Sequence, residues 1–259
     1  MIVLGIMSGT SLDGLDLVFA QFDLTPETKQ QYQWKIIKGK TIDYNLAFKD
    51  KLSKAVNLSG FELMQLHADF GVYLGKCCKD FIDESKVIPD LIASHGHTVF
   101  HEVKKGFTTQ IGDGHKIAAI TGVNTIFDFR SLNVAYGGQG APLVPIGDEF
   151  LFSEYDSCLN LGGIANISYK LKNKRLAFDI CPFNLLLNKF ALQNGYAYDA
   201  GGKMAKSGKV CSSLLLKLRE IPYYKQTGAK SLDKEQLLHY YNQLFNGFNL
   251  SVVDFLSTL

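Results

Sequence analysis

Two stretches of the chain combine glycine with hydroxyl, amide and carboxylate groups at spacings suited to holding a phosphate. The first is Gly9-Thr10-Ser11-Leu12-Asp13-Gly14-Leu15-Asp16. Glycine bares backbone N–H groups, and the Thr10 and Ser11 hydroxyls add donors, so an anion fits such a turn. Asp13 and Asp16 suit an anion only if they hold a divalent metal or orient a water, and nucleoside triphosphates arrive with Mg2+. An ordinary hairpin turn, equally rich in Gly and Asp, has the same composition, and the residues alone leave both readings open. The second stretch runs from Asn160 to Ser168 with Gly162-Gly163 at its centre. Paired across a cleft, the two would clasp the two ends of a polyphosphate.

Asp179 lies at the end of a strand-like run, before Ile180-Cys181-Pro182. A carboxylate at a strand end facing a cleft suits a general base; the alternative is a carboxylate at the start of the next helix. Arg130, in Asp128-Phe129-Arg130, is able to grip an anion bidentately or to pair with a surface acid such as Asp128. His95, His97 and His101 have spacing that a metal would tolerate. Gly96 and the Ser94 and Thr98 flanks suit a substrate-lining loop equally well, and no tightly bound metal is expected.

The elements that must position these groups follow from periodicity. Apolar runs from Ile2 to Ile6 and from Leu15 to Phe22 flank the first turn as strands, and Tyr32 to Ile42 continues the meander. Leu46–Leu58 and Phe61–Phe81 carry apolar residues at helical spacing. Leu91 to Ala93, Phe107 to Ile111 and Val123 to Phe127 read as strands, and His115 to Thr121 as a short helix. The glycine-rich run Gly137 to Gly140 marks a boundary or hinge. The second half opens like the first: strands over 157–161, 164–171 and 175–180, then helices over 183–194, 203–220 and 233–245, with Asp233 near the start of the last. The expectation is an α/β chain of two domains, 1–140 and 141–259, with mixed sheets flanked by helices and a faint internal duplication.

Composition bounds the function. The 259 residues are 46% hydrophobic and 20% charged, enough for a sizeable core. Net charge is +2 with Lys and Arg scattered, which argues for neither nucleic acid nor an anionic membrane as partner. No apolar run reaches the ~18 residues a bilayer span needs, and no basic region precedes the first strand as in a signal peptide. The five cysteines show no CxxC spacing, as expected of reduced thiols in a cytoplasmic protein.

Taken together, Gly5–Asp16, Ala93–His101, Gln110–Gly114, Asp128–Arg130, Gly137–Pro145, Asn160–Ser168 and Phe178-Asp179 resemble the anhydro-N-acetylmuramic acid kinases, in order and at consistent spacing from Met1 to about Lys230. The resemblance implies the actin-like ATPase fold, two ribonuclease-H-like domains facing a cleft. It implies an ATP- and Mg2+-dependent reaction in which water opens the 1,6-anhydro ring of the sugar while its 6-oxygen is phosphorylated, giving N-acetylmuramic acid 6-phosphate in peptidoglycan recycling. It puts ATP on Gly9, Thr10, Ser11, Leu12, Asp13, Gly14, Leu15 and Asp16 with Gly162 and Gly163, the catalytic base on Asp179, and the sugar on His97, Arg130, Gln139 and Asn166. It also implies a homodimer.

The chain departs from the commoner family pattern, which has Gln at His97, Asp at Asn133, and Thr-Gly-Pro-Gly-Asn where this chain has Ile180-Cys181-Pro182-Phe183-Asn184. Family members also continue past this point with adenosine-binding glycines and a further sugar-contacting acid. The alternative to turnover is therefore a catalytically incomplete fragment or paralogue that binds sugar or a partner.

Overall fold

The computed structural model describes every residue except 10, 11, 13, 25–31, 141, 142, 173, 229 and 233. It divides into two compact units, Met1–Leu151 and Phe152–Leu259. In the first, β1 (Ile2–Ser8), β2 (Leu15–Leu24) and β3 (Tyr32–Ile42) form an antiparallel meander. β4 (Leu91–Ser94) pairs parallel to β1, and β7 (Thr125–Phe127) parallel to β4, giving the mixed order β3-β2-β1-β4-β7. A separate hairpin joins β5 (His97–Glu102) to β6 (Phe107–Ile111). His97 to Glu102 is thus a strand, where its polar residues had suggested a loop.

The sheet packs against α1 (Leu46–Ser53) and α2 (Gly60–Ser85), with α3 (Gly114–Thr121) lying on α2. Helix α2 starts in a capping box: Ser59 Oγ accepts from Glu62 N, and Glu62 returns to Ser59 N at 2.9 Å. Leu66, Phe70, Leu74, Cys77, Cys78 and Phe81 form its buried stripe, and Phe81 stacks on Phe19 at 4.8 Å between centroids. Phe61 and Met64, expected on the same stripe, stand 81% and 63% exposed, because the turn of the helix carries them off the face that Leu63 and Leu66 present to the core. α4 (Ser131–Ala135) and α5 (Leu143–Leu151) complete this unit. Residues 143–151 were expected in the second domain; they form α5 within the first unit, where Trp34 Nε1 on β3 donates to Leu151 O at 3.1 Å.

The second unit repeats the meander as a three-stranded antiparallel sheet, β8 (Ser157–Leu161), β9 (Ile164–Leu171) and β10 (Lys174–Pro182). Its helices are α6 (Asn184–Gln193), α7 (Lys203–Ser207), α8 (Ser212–Arg219), α9 (Lys234–Asn246) and α10 (Val252–Thr258). Leu186, Phe190, Leu214, Tyr241, Phe245 and Phe255 build its core, with Phe190 stacked on Phe255 at 4.6 Å. β10 runs on to Pro182 instead of stopping at Ile180, and its register with β9 shifts between Asp179 and Cys181. All five cysteines are free thiols. Among the described residues no helix is long and apolar enough to cross a membrane.

Candidate functional site

In the first unit the glycine-rich turn joins β1 to β2. Leu12 N donates to Gly9 O at 3.2 Å, and Leu12 holds φ of +56°, a left-handed conformation uncommon for a bulky side chain. Gly14 is required by close approach, since a Cβ there would lie 2.9 Å from Ile42 O. Leu15 is fully buried in the core, so it offers a ligand only its backbone, whereas Asp16 is exposed with Thr41 Oγ1 donating to its Oδ1 at 2.6 Å. Thr10, Ser11 and Asp13 lie outside the described residues.

His97 sits beneath this turn, 5% exposed, with Nδ1 lacking a partner among the described residues. Burial first, and neighbouring His95 second, push its imidazole down to about 4, opposed by a backbone interaction with Gly9. His97, expected in the sugar site, is therefore neutral at ordinary pH and interacts with the backbone of Gly9.

Arg130 follows β7. Its Nε donates to His95 Nε2 at 3.0 Å and its Nη1 to Gly140 O at 2.5 Å. Because Arg only donates, His95 carries its proton on Nδ1, which donates to Gly96 O at 2.9 Å. Burial and then the Arg130 charge hold this imidazole below its ordinary value. The Gly137–Gly140 run, expected as a hinge, is tied to α4: Gly138 N donates to Asn133 O at 2.8 Å and Gly140 N to Asn133 Oδ1 at 2.7 Å. Gln139, exposed, rides on this pinned turn. His101 lies close by, its Nδ1 donating to Thr108 Oγ1 at 3.2 Å, since that hydroxyl gives its own hydrogen to Phe100 O. Among the described residues no group of three or more His, Cys, Asp or Glu is arranged to hold a metal.

In the second unit the Gly162-Gly163 turn heads β8 and β9. Its carbonyls are taken by the start of α6: Phe183 N and Leu185 N donate to Gly163 O at 2.9 and 3.1 Å, and Asn184 N to Gly162 O at 3.2 Å. The first-turn donors of α6 are thereby satisfied by the hairpin. Across the sheet, Asn160, Asn166 and Asp179 occupy one cross-strand row and so one face. Cys181, two residues beyond Asp179, pairs with Ala165 and faces the other way, because the bulge at Ile180 adds one residue to the alternation. That opposite side carries a cavity of about 270 Å3 lined by Cys181, Leu186, Leu218, Tyr224 and Tyr241, separate from Asp179.

Asp179 is half-buried. Ser231 Oγ and Leu232 N both donate to its Oδ2, at 3.1 and 2.8 Å. Its N–H donates to Lys230 O at 3.1 Å and its C=O accepts from Tyr223 OH at 2.6 Å. None of these partners was foreseen. They arrive from a loop some fifty residues downstream, with no periodicity or motif to mark them. Asn133 was noted only as a departure from the family pattern, and its hold on Gly140 is likewise a tertiary fact.

Comparison with known proteins gives the class first: the relatives are kinases, enzymes that transfer a phosphoryl group. A family model for anhydro-N-acetylmuramic acid kinase matches residues 1–259. The anhydro-N-acetylmuramic acid kinase of Photobacterium profundum is 38% identical over 272 residues, covering 99% of this chain and 70% of its own length. That of Pasteurella multocida is 36% identical, covering 91% and 64%, and that of Coxiella burnetii 36%, covering 99% and 71%. The chain belongs to the anhydro-N-acetylmuramic acid kinase family, and spans between 64% and 71% of the length of these relatives. A solved RuvC structure from Thermus thermophilus aligns to 54% of this chain and 72% of its own at a TM-score of 0.26 and 14% identity, too slight a likeness to bear on the fold.

Proposed function

We propose that this protein phosphorylates anhydro-N-acetylmuramic acid at O6 while water opens the 1,6-anhydro ring, with ATP as phosphoryl donor. The observation that carries the reading is the family match over residues 1–259. Asp179 is the base. It takes the proton of the water attacking the anomeric carbon; the C1–O6 bond breaks, and O6 displaces ADP from the γ-phosphorus. The strand order β3-β2-β1-β4-β7, with β2 alone antiparallel to its neighbours' direction, supports a ribonuclease-H-like first domain, and the β8–β10 meander supports a second of the same descent.

The Gly9–Asp16 turn cradles ATP phosphates, supported by the left-handed backbone at Leu12 and the close-packed Gly14 that shape it, and Gly162-Gly163, whose turn is anchored through its carbonyls, supplies further backbone donors. Arg130, Gln139, His97 and Asn166 serve the sugar, His97 through the turn above it. The exposed Asp16 carboxylate fits Mg2+ held by one acid and substrate phosphates, and Asp16 would hold it. When bound, the ion neutralises charge on the transferring phosphoryl group. A cytoplasmic homodimer completes the proposal.

The test is a coupled assay of ADP release with the anhydro sugar, using Asp179→Asn as control. Sugar-dependent ADP release that Asp179→Asn abolishes is expected. Equal rates for the two proteins, or sugar binding by calorimetry with no turnover, overturn the reading.

A further inference from the structure

The outer edge of β10 meets a loop instead of another strand. There Asp179 is held at four points by residues that no motif singles out: both backbone groups, through Lys230 O and Tyr223 OH, and one carboxylate oxygen, through Ser231 Oγ and Leu232 N. Lys230 closes the loop. Its Nζ donates to Tyr223 O and Gln226 O, each at 3.1 Å, and lies over the Tyr223 and Phe178 rings at 4.5 and 5.5 Å. Tyr223 and Ser231 therefore approach Asp179 as parts of one closed strap.

The chemistry of the two carboxylate oxygens then differs. Oδ2 accepts two hydrogen bonds, which engage it and fix the plane of the group. No described residue donates to Oδ1. A base must be held in the right direction before its strength matters, because misplacement by about 1 Å costs up to hundredfold in rate. The bulge at Ile180 adds to the same end by turning Asp179 alone onto the polar row with Asn160 and Asn166.

We infer that Ser231 is a positioning residue for the reaction: with the Leu232 amide it binds Oδ2 of Asp179 and so presents Oδ1 as the proton acceptor. The inference rests on Asp179 being the base.

The test uses the whole chain in the ADP-release assay. Ser231→Ala is expected to lower kcat about tenfold or more while leaving KM for ATP and for the sugar within about twofold, the signature of a lost transition-state contact. Ser231→Thr, which keeps the hydroxyl, is expected to restore most of the rate. In an Asp179→Asn background, Ser231→Ala is expected to change nothing further. Unchanged kcat in folded Ser231→Ala, or no rescue by Thr, overturns the inference while leaving Asp179 as base. Wild-type rates in Asp179→Asn, or no turnover in the unaltered chain, overturn the parent reading and the inference together. Circular dichroism on each variant separates misfolding from misplacement.

Discussion

Asn166 stands directly opposite Asp179 in the β9–β10 ladder, and the backbone groups of Asp179 are turned away from it, toward Lys230 and Tyr223. In an antiparallel sheet that orientation makes the two a narrow, non-hydrogen-bonded pair, the kind that brings side chains closest. An amide is thus set beside the carboxylate without tying up the ladder. Asn166→Ala is expected to lower kcat/KM for the sugar about tenfold with KM for ATP unchanged. Steady-state kinetics in both substrates check this, and an equal loss in both would place Asn166 elsewhere.

His97 makes stability depend on acid. Its folded value lies near 4, below the ordinary 6.5, so between those values the unfolded chain binds a proton that the folded chain refuses. Its contribution is complete above about pH 6.5 and is lost as pH falls toward 4, on the order of 3 kcal/mol in all. Urea midpoints measured across that range should drop, and His97→Gln should flatten much of the slope. His95 and His101, also depressed by burial, add to the slope.

Asn133 organises the turn on which Arg130 leans. Asn133→Ala leaves the buried Gly140 N–H without its acceptor, at a cost of about 1–3 kcal/mol. KM for the sugar is expected to rise several-fold, as the carbonyl that Arg130 Nη1 grips loses its anchor. Asn133→Asp retains an acceptor oxygen and is expected to behave nearly as wild type, which thermal melts and sugar titrations would both register.

Gly71 allows α2 and the start of α3 to touch. A Cβ there would lie 2.6 Å from Asp113 O and 2.8 Å from Asp113 N, backbone that has nowhere to retreat. Gly71→Ala is expected to cost about 2–3 kcal/mol. Gly60→Ala, where nothing lies within 4 Å, is the matched control and is expected to be neutral or slightly stabilising. Urea unfolding of the two variants side by side decides it.

Much of the scaffold is legible in the residues. Tyr32–Ile42 alternates and is the strand β3 at those bounds, and Leu66, Phe70, Leu74 and Phe81 trace a helical stripe that is buried as their spacing requires. What the sequence hides is tertiary. Phe61 and Phe70 both read as apolar helix positions, yet nine residues put them on opposite faces, the first exposed and the second buried in the core. Glycines at 137, 138 and 140 imply freedom, while the fold ties Gly138 and Gly140 to Asn133 and leaves no room for a Cβ at either. Counting by twos sets Cys181 beside Asp179, and only the bulge at Ile180, a property of the pairing and not of either strand alone, separates them. The donors around Asp179 come from a distant loop whose sequence reads as ordinary connection.

The grip of α6 on the carbonyls of Gly162 and Gly163 has a mechanical consequence. Three hydrogen bonds tie the turn to the first residues of the helix, so neither travels alone. Any displacement of the turn would therefore be felt at the head of α6, whose Phe190 packs against Phe245 and Phe255 in the aromatic heart of the second unit.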